Sequence, residues 1–262
     1  MGTSEGYRDD RGGCGPMSEG IVVRKCETID EFHECVQLQK EVWGEADLEV
    51  EPATLFVVAV HTGGQVLGAF DGPKLVGYTL AVAGVRNGMP YLHSHMTGVL
   101  AKYRNRGVGR MLKLYQREEA LGRGIRWIEW TFDPLETRNA HFNLNRLGAI
   151  ARQCLPNLYG ITTSPLHRGL PTDRLVAEWI LDSPRVIAAV TTGNVEPSLD
   201  AARVELPADL ESCKTSEPEW LVGVQAHVRK EFIDWFAKGF AAVGLKTDGR
   251  EAAYLLAPWS DY

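Results

Sequence analysis

No apolar run in this sequence reaches the roughly 18–20 residues that span a bilayer, so no membrane-spanning helix and no membrane partner are expected. The polar, glycine-rich beginning lacks the apolar segment of a signal peptide. Positive charge is in deficit. The formal net charge is −6, which argues against a general nucleic-acid binder, since that role needs a basic surface, but leaves room for a local basic site. Cysteine is sparse, with five residues at 14, 26, 35, 154 and 213. An odd, scattered set without C-x-x-C spacing reads as reduced thiols in a cytosolic protein. Metal-ligand spacing is lacking too. His93-Ser94-His95 comes nearest, and two histidines make a poor zinc site, so no metal is expected. There is no repeat of the solenoid kind. What remains is an ordinary globular composition, 44% hydrophobic and 24% charged, in 262 residues. That length buries a full core.

The informative stretch runs from Tyr91 to Gly124. A short apolar run, His95 to Leu100, is followed by the basic turn Arg104-Asn105-Arg106-Gly107-Val108-Gly109. Then Val108, Met111, Leu112, Tyr115 and Leu121 recur at three and four residues, the mark of one helix face, and Gly122 and Gly124 end the helix. A helix start offers free N–H groups and a partial positive charge to an anion. Gly107 and Gly109 carry no Cβ, and Arg104, Arg106 and Arg110 add charge. The pattern points to a pyrophosphate site.

Three readings fit such a turn. One is a solvated basic helix start. A second is a dinucleotide fold, but Leu112 stands where the third glycine of G-x-G-x-x-G belongs. The third rests on Arg104, Gly107 and Gly109, which match the Arg/Gln-x-x-Gly-x-Gly/Ala pattern of the GNAT (GCN5-related) acyltransferases. Their neighbours match as well: the strand Ile125–Phe132 follows, and Arg138 to Ala149 resembles the family's next helix through Asn139 and Gly148. The chain therefore resembles a GNAT protein, in wording closest to a bacterial branch described only as predicted acetyltransferases. The resemblance covers about residues 20–182.

The expected class is α/β (α+β): a mixed central sheet flanked by helices, with a C-terminal αβ extension. Residues 1–18 read as disordered, 19–185 as the acyl-CoA-binding core, and 186–262 as a strand–helix–strand extension packed on the core. Within the core, Ile21–Lys25 is a strand. Thr28 and Glu31 have capping-box spacing, before a helix that ends at Gly44. Ala53–His61 is a short buried helix or a strand, because Phe56–Val60 is β-prone. Gln65–Phe70 and Lys74–Ala83 flank the hairpin signal Asp71-Gly72-Pro73, and Gly84–Pro90 reads as a loop. In Ile125–Phe132, Trp127, Glu129 and Thr131 share one side. Gln153–Gly160 is expected as a strand, and Arg174–Leu181 as a strong one. In the extension, Val190–Leu199 reads as a polar linker, Val204–Pro207 and Ala252–Ala257 as strands, and Glu217–Phe240 as an amphipathic helix that packs on the core or on a second subunit, which would make a homodimer.

The resemblance implies an acyl-CoA cosubstrate, most simply acetyl-CoA, whose acyl group passes to the primary amine of a small molecule by direct attack. It puts the pyrophosphate on Arg104, Asn105, Arg106, Gly107, Val108 and Gly109 with Arg110 near, the pantetheine along Thr97-Gly98-Val99, and Asn139 near the CoA amide. A backbone N–H near Val99 would receive the thioester oxygen. The attacking amine must lose a proton, and imidazole suits that task. His93 and His95 precede Thr97 at period two, so they share a face. Glu129 on the neighbouring strand is the other base candidate. The family's general-acid tyrosine falls at Leu144, which has no proton to give. Tyr159 is the candidate replacement, and otherwise solvent, Asn143 or Asn145 must serve. That departure admits an alternative, a non-catalytic acyl-CoA-binding module. A further one is amino-acid N-succinyl transfer.

Overall fold

The strand–turn–helix unit lies at the middle of one mixed sheet. The computed structural model describes residues 20–44, 50–161, 169–196, 202–208, 210, 218–248 and 251–260. The segment 1–18 expected to be disordered lies outside the described residues. Among those described, the strands are β1 (Ile21–Lys25), β2 (Gln65–Asp71), β3 (Lys74–Arg86), β4 (Met89–Val99), β5 (Trp127–Phe132), β6 (Ile150–Leu155), β7 (Arg174–Ile180), β8 (Ala202–Leu206), β9 (Phe240–Asp248) and β10 (Glu251–Pro258). They lie in the order β1-β2-β3-β4-β5-β7-β6-β9-β10-β8. Every neighbouring pair is antiparallel except β4 and β5, which are parallel. The helices are α1 (Ile29–Trp43), α2 (Ala53–His61), α3 (Val108–Gly122), α4 (Thr137–His141), α5 (Pro184–Thr192) and α6 (Pro218–Ala237). No helix of the described residues is long and apolar enough to cross a membrane.

Local chemistry accounts for the elements around the centre. Thr28 and Glu31 form both bonds of the capping box at the start of α1, and Gly44 closes it in the left-handed conformation. The β-prone segment 56–60 is helical. Pro52 opens α2, and Ala53, Phe56 and Ala59 are buried at three-residue spacing. Here the tertiary surface under β2 and β3 overrides β propensity. The segment expected as a loop at 84–90 is a hairpin instead. Asn87 (φ 51°) and Gly88 (φ 76°) supply the two positive-φ residues of a tight turn, which joins β3 to β4. In α3 the buried residues are Val108, Leu112, Lys113, Gln116 and Ala120. The inward face is therefore more polar than the apolar periodicity suggests.

Three expectations beyond the centre need correction. β6 ends at Leu155, and Leu158 and Tyr159 lie exposed in a turn rather than in a strand. The stretch expected as linker begins within α5, which Ser183 caps and Pro184 opens. α6 stops at Ala237, and Gly239 (φ 78°) turns the chain into β9, a strand absent from the sequence reading. β9, β10 and β8 continue the core sheet beyond β6. The join is thin in backbone terms, one register pair, Ala151 with Ala242. Side chains reinforce it. The Leu245 N–H donates to Asn145 Oδ1 at 2.8 Å, and the Tyr254 hydroxyl donates to the Pro134 carbonyl at 2.7 Å, both buried. Asn145→Ala leaves a buried N–H without its acceptor, so it is expected to lower unfolding stability by about 1–3 kcal/mol. Denaturant titration with unchanged slope checks this, and a loss below about 0.5 kcal/mol would mean the extension does not lean on this bond.

Candidate active site

The central parallel pair is short. Among the described residues, β4 and β5 share two register pairs, Leu92 with Ile128 and His93 with Glu129. Just past that point β4 carries a bulge. Leu80 of β3 faces Met96 while Ala81 faces Ser94, so His95 is an extra residue. A bulge bends its strand and raises its twist. The register with β5 ends directly before it, at His93, so residues 94–99 of β4 have no β5 partner and leave an unpaired edge, a notch, between the two strands. Thr97 and Val99 are half-buried along this edge. Gly98 answers to packing as well, since a Cβ there would lie 2.9 Å from Trp43 Cη2 of α1.

The basic turn stands at the open end of the notch. Asn105 (φ 59°) and Gly107 (φ 81°) are both left-handed, and Gly107 is the N-cap of α3. The first intrahelical bond runs from the Met111 N–H to the Gly107 carbonyl at 2.9 Å. The amides of Val108, Gly109 and Arg110 therefore precede any intrahelical acceptor. Gly109 is informative for what surrounds it. Its φ is not in the positive range, and the nearest atom to an added Cβ is Val99 Cγ2 at 4.0 Å. Neither strain nor internal packing asks for glycine there. A ligand that approaches the backbone closely does, so these residues fit a phosphate group. The arginines divide. The Arg104 guanidinium donates to the carbonyls of Val99 (3.1 Å) and Val42 (3.4 Å), and that of Arg110 to Val190 of α5 (2.8 Å). Arg104 thus ties the turn to β4 and α1, and Arg110 ties α3 to α5. Arg106 lies exposed over the Tyr103 ring.

At the point of the notch, His93 Nδ1 is 3.5 Å from Glu129 Oε1. Arg86 grips the same carboxylate with two bonds, 2.8 and 2.9 Å, and stacks over Tyr91 and Trp127. Burial alone would raise the Glu129 carboxyl. The contacts with His93 and Arg86 outweigh it and hold the group below the usual carboxylate range. An ionised, doubly bonded carboxylate is a weak base and a good orienting partner for imidazole. His95 lies beside His93, with ring centroids 6.3 Å apart, and its Nε2 is 3.0 Å from Glu51 Oε1. Tyr159 reaches the same face of β5, its hydroxyl 2.9 Å from Thr131 Oγ1. Asn139 sits exposed in the first turn of α4, whose cap is Glu136, so it is not the helix cap.

Comparison with protein-family models and with curated sequences finds no match. Solved structures do match. A protein assigned to the GNAT acetyltransferases of Desulfovibrio desulfuricans aligns with a TM-score of 0.51 at 14% identity, over 62% of this chain and 99% of its own. The yncA acetyltransferase of Salmonella typhimurium, solved with acetyl-CoA, aligns at 0.50 and 13%, over 63% and 96%. Arabidopsis thaliana NAA60, in complex with acetyl-CoA, gives 0.50 and 13%, over 61% and 99%. The fold is that of the GNAT superfamily.

Each match takes in nearly a whole GNAT neighbour but about three-fifths of this chain. Against the GNAT pattern, Leu144 is a packing residue. It is fully buried, and its carbonyl accepts from Arg185 at 3.0 Å. Asn145 is committed to β9, and Asn143 is buried with its amide nitrogen lacking a partner among the described residues. Arg86 lies in the segment expected as a loop, so the sequence alone does not mark it as a site residue. The overlooked signal was Asn87-Gly88, a strong hairpin cue, which would have carried β3 through to Arg86.

Proposed function

We propose that the chain transfers the acyl group of an acyl-CoA, acetyl-CoA foremost, to the primary amine of a small molecule. The observation that supports this reading most is the join of two features: an open strand edge at residues 94–99, and a helix start at its end where Gly109 leaves the backbone open to a close ligand. In this reading the amides of Val108, Gly109 and Arg110 hold the pyrophosphate, and the edge Thr97-Gly98-Val99 carries the pantetheine arm. Placing the thioester beside a bound amine supplies most of the rate through proximity. His93 takes the proton of the attacking nitrogen. Glu129 fixes the Nδ1 side of the ring and stabilises the imidazolium, and Arg86 keeps Glu129 ionised. His95 and Tyr159 line the acceptor side, and Asn139 lies toward the cosubstrate. The second reading, a module that binds acyl-CoA without turnover, draws on buried Leu144 at the position of the family acid.

Calorimetric titration of the purified protein with acetyl-CoA, CoA and NADH tests the cradle. Micromolar binding of both thioester and thiol, with NADH silent, is expected. NADH binding alone would assign the glycine turn to a dinucleotide. A screen of amino acids, polyamines and aminoglycosides for released CoA thiol then separates enzyme from binding module. Thiol release above the hydrolysis blank is expected for at least one amine, and none across the set would favour the module.

A further inference from the structure

One ionisable group near the notch remains without a role. Lys113 of α3 is 3% exposed, and among the described residues no carboxylate pairs with it. Its Nζ donates to Ser94 Oγ and to Gln116 Oε1, both at 2.9 Å, and lies 3.9 Å from the Trp130 ring centroid and 5.9 Å from that of Trp179. Ser94 follows His93 on β4, and Trp130 follows Glu129 on β5. The ammonium thus rests against both strands just where they part. Alternation along a strand puts it on the face opposite His93 and Glu129.

A methionine would fill this site without burying a charge, so packing does not account for the lysine. The groups that face it, Ser94 of β4, Gln116 of its own helix, Trp130 of β5 and Trp179 of β7, do not titrate near neutrality. Burial pushes the Lys113 ammonium down to about 7, a range in which it both holds and releases a proton in neutral solution. Ser94 is placed to pass that proton on. Its oxygen accepts from Lys113, while its contacts with Gln116 (3.3 Å) and Thr79 (3.5 Å) are long. Thr79 in turn bonds Thr97 at 2.8 Å, so a polar track runs from Lys113 to the free edge of β4.

We propose that Lys113 and Ser94 deliver the proton that the departing CoA sulfur needs, in place of the hydroxyl missing at Leu144. This rests on the acyl-CoA reading above. The amine nitrogen bonds to the thioester carbonyl carbon, and its surplus proton leaves through His93 to solvent. The C–S bond breaks with its electron pair on sulfur. The Ser94 hydroxyl gives its proton to that sulfur as Lys113 protonates Ser94. Lys113, left neutral, regains a proton from solvent before the next turnover.

The test uses the full chain with CoA itself as probe. Calorimetry is run first, and thiolate absorbance then follows the titration of the bound thiol. With wild type, the bound thiol is expected to ionise ahead of the Lys113 ammonium, below about 7, well under the ~8.5 of a free thiol. Lys113→Met keeps CoA affinity within about threefold but returns the bound thiol to the free value or above. In turnover it loses about 10²-fold in kcat. It also loses the decline of kcat seen as pH rises through about 7, where wild-type Lys113 gives up its proton. Ser94→Ala keeps the shifted thiol, because the ammonium remains, and loses about 10-fold in kcat. A folded Lys113→Met with wild-type thiol titration and pH profile overturns the inference while the acyl-CoA reading stands. Should that variant fail to fold, an unaltered kcat in Ser94→Ala overturns it instead. Absence of CoA binding by wild type overturns the acyl-CoA reading, and this inference with it.

Discussion

His93→Gln is expected to lower kcat by about 10²-fold or more while acetyl-CoA affinity stays within about threefold. The side chain occupies the last register pair before β4 and β5 part, with Nδ1 facing Glu129 at 3.5 Å. Glutamine can keep a hydrogen bond to that carboxylate but cannot take up a proton near neutrality. The attacking amine then has no group beside it to take its proton. Steady-state kinetics by thiol release across pH checks this, once an acceptor is found. His95→Gln is the control. Its ring is spoken for by Glu51 at 3.0 Å, so a loss of less than about fivefold is expected, well short of a lost general base. Equal losses in the two variants would mean that the pair acts jointly and that the base is misassigned. An unchanged profile in His93→Gln would remove histidine from the chemistry.

Gly107→Asp is expected to weaken CoA binding by at least about 10-fold, or about 1.4 kcal/mol, with the fold retained. Gly107 has φ 81°, a region that aspartate visits more readily than most residues, and nothing in the protein lies within 4 Å of the added Cβ. The left-handed backbone strains any side chain there by about 1 kcal/mol, which leaves the fold in place. The larger damage falls on the ligand, because a carboxylate at the start of α3 stands beside the free amides and repels phosphate. Gly107→Ala separates charge from shape. It incurs backbone strain of about 1 kcal/mol without the repulsion, so it shifts the melting temperature more than the affinity. Calorimetry paired with thermal melts reads both. Wild-type affinity in Gly107→Asp would put the phosphates somewhere other than this turn.

Much of this architecture was readable because the signals are local. A capping box needs four residues, and Thr28 to Glu31 form one whatever lies elsewhere. The left-handed residues Asn105 and Gly107 set the start of α3 within a few bonds. The alternation Trp127, Glu129, Thr131 announced one face of β5. At Ala53–His61 the sequence left a buried helix and a strand both open, and a distant surface decided: α2 forms because Phe56 and Ala59 have a sheet to bury against. β9 lies in sequence directly after α6 and pairs chiefly with β10, the strand that follows it, while it meets β6 at one register pair.

By itself, the sequence determined the turn, the helix behind it and the candidate bases, since backbone conformation and side-chain alternation depend on near neighbours. Only the tertiary structure decided what those groups touch. The bulge at His95 makes sense only against β3, which supplies the shifted register. Arg86 reaches Glu129 across β4 and, with His93, holds its carboxyl below the usual carboxylate range. Lys113 is one cation among several on α3 in the sequence, and only the assembled sheet places Ser94 and Trp130 around it. Burial and pairing are properties of the assembled sheet, and these set the charge state on which the chemistry depends.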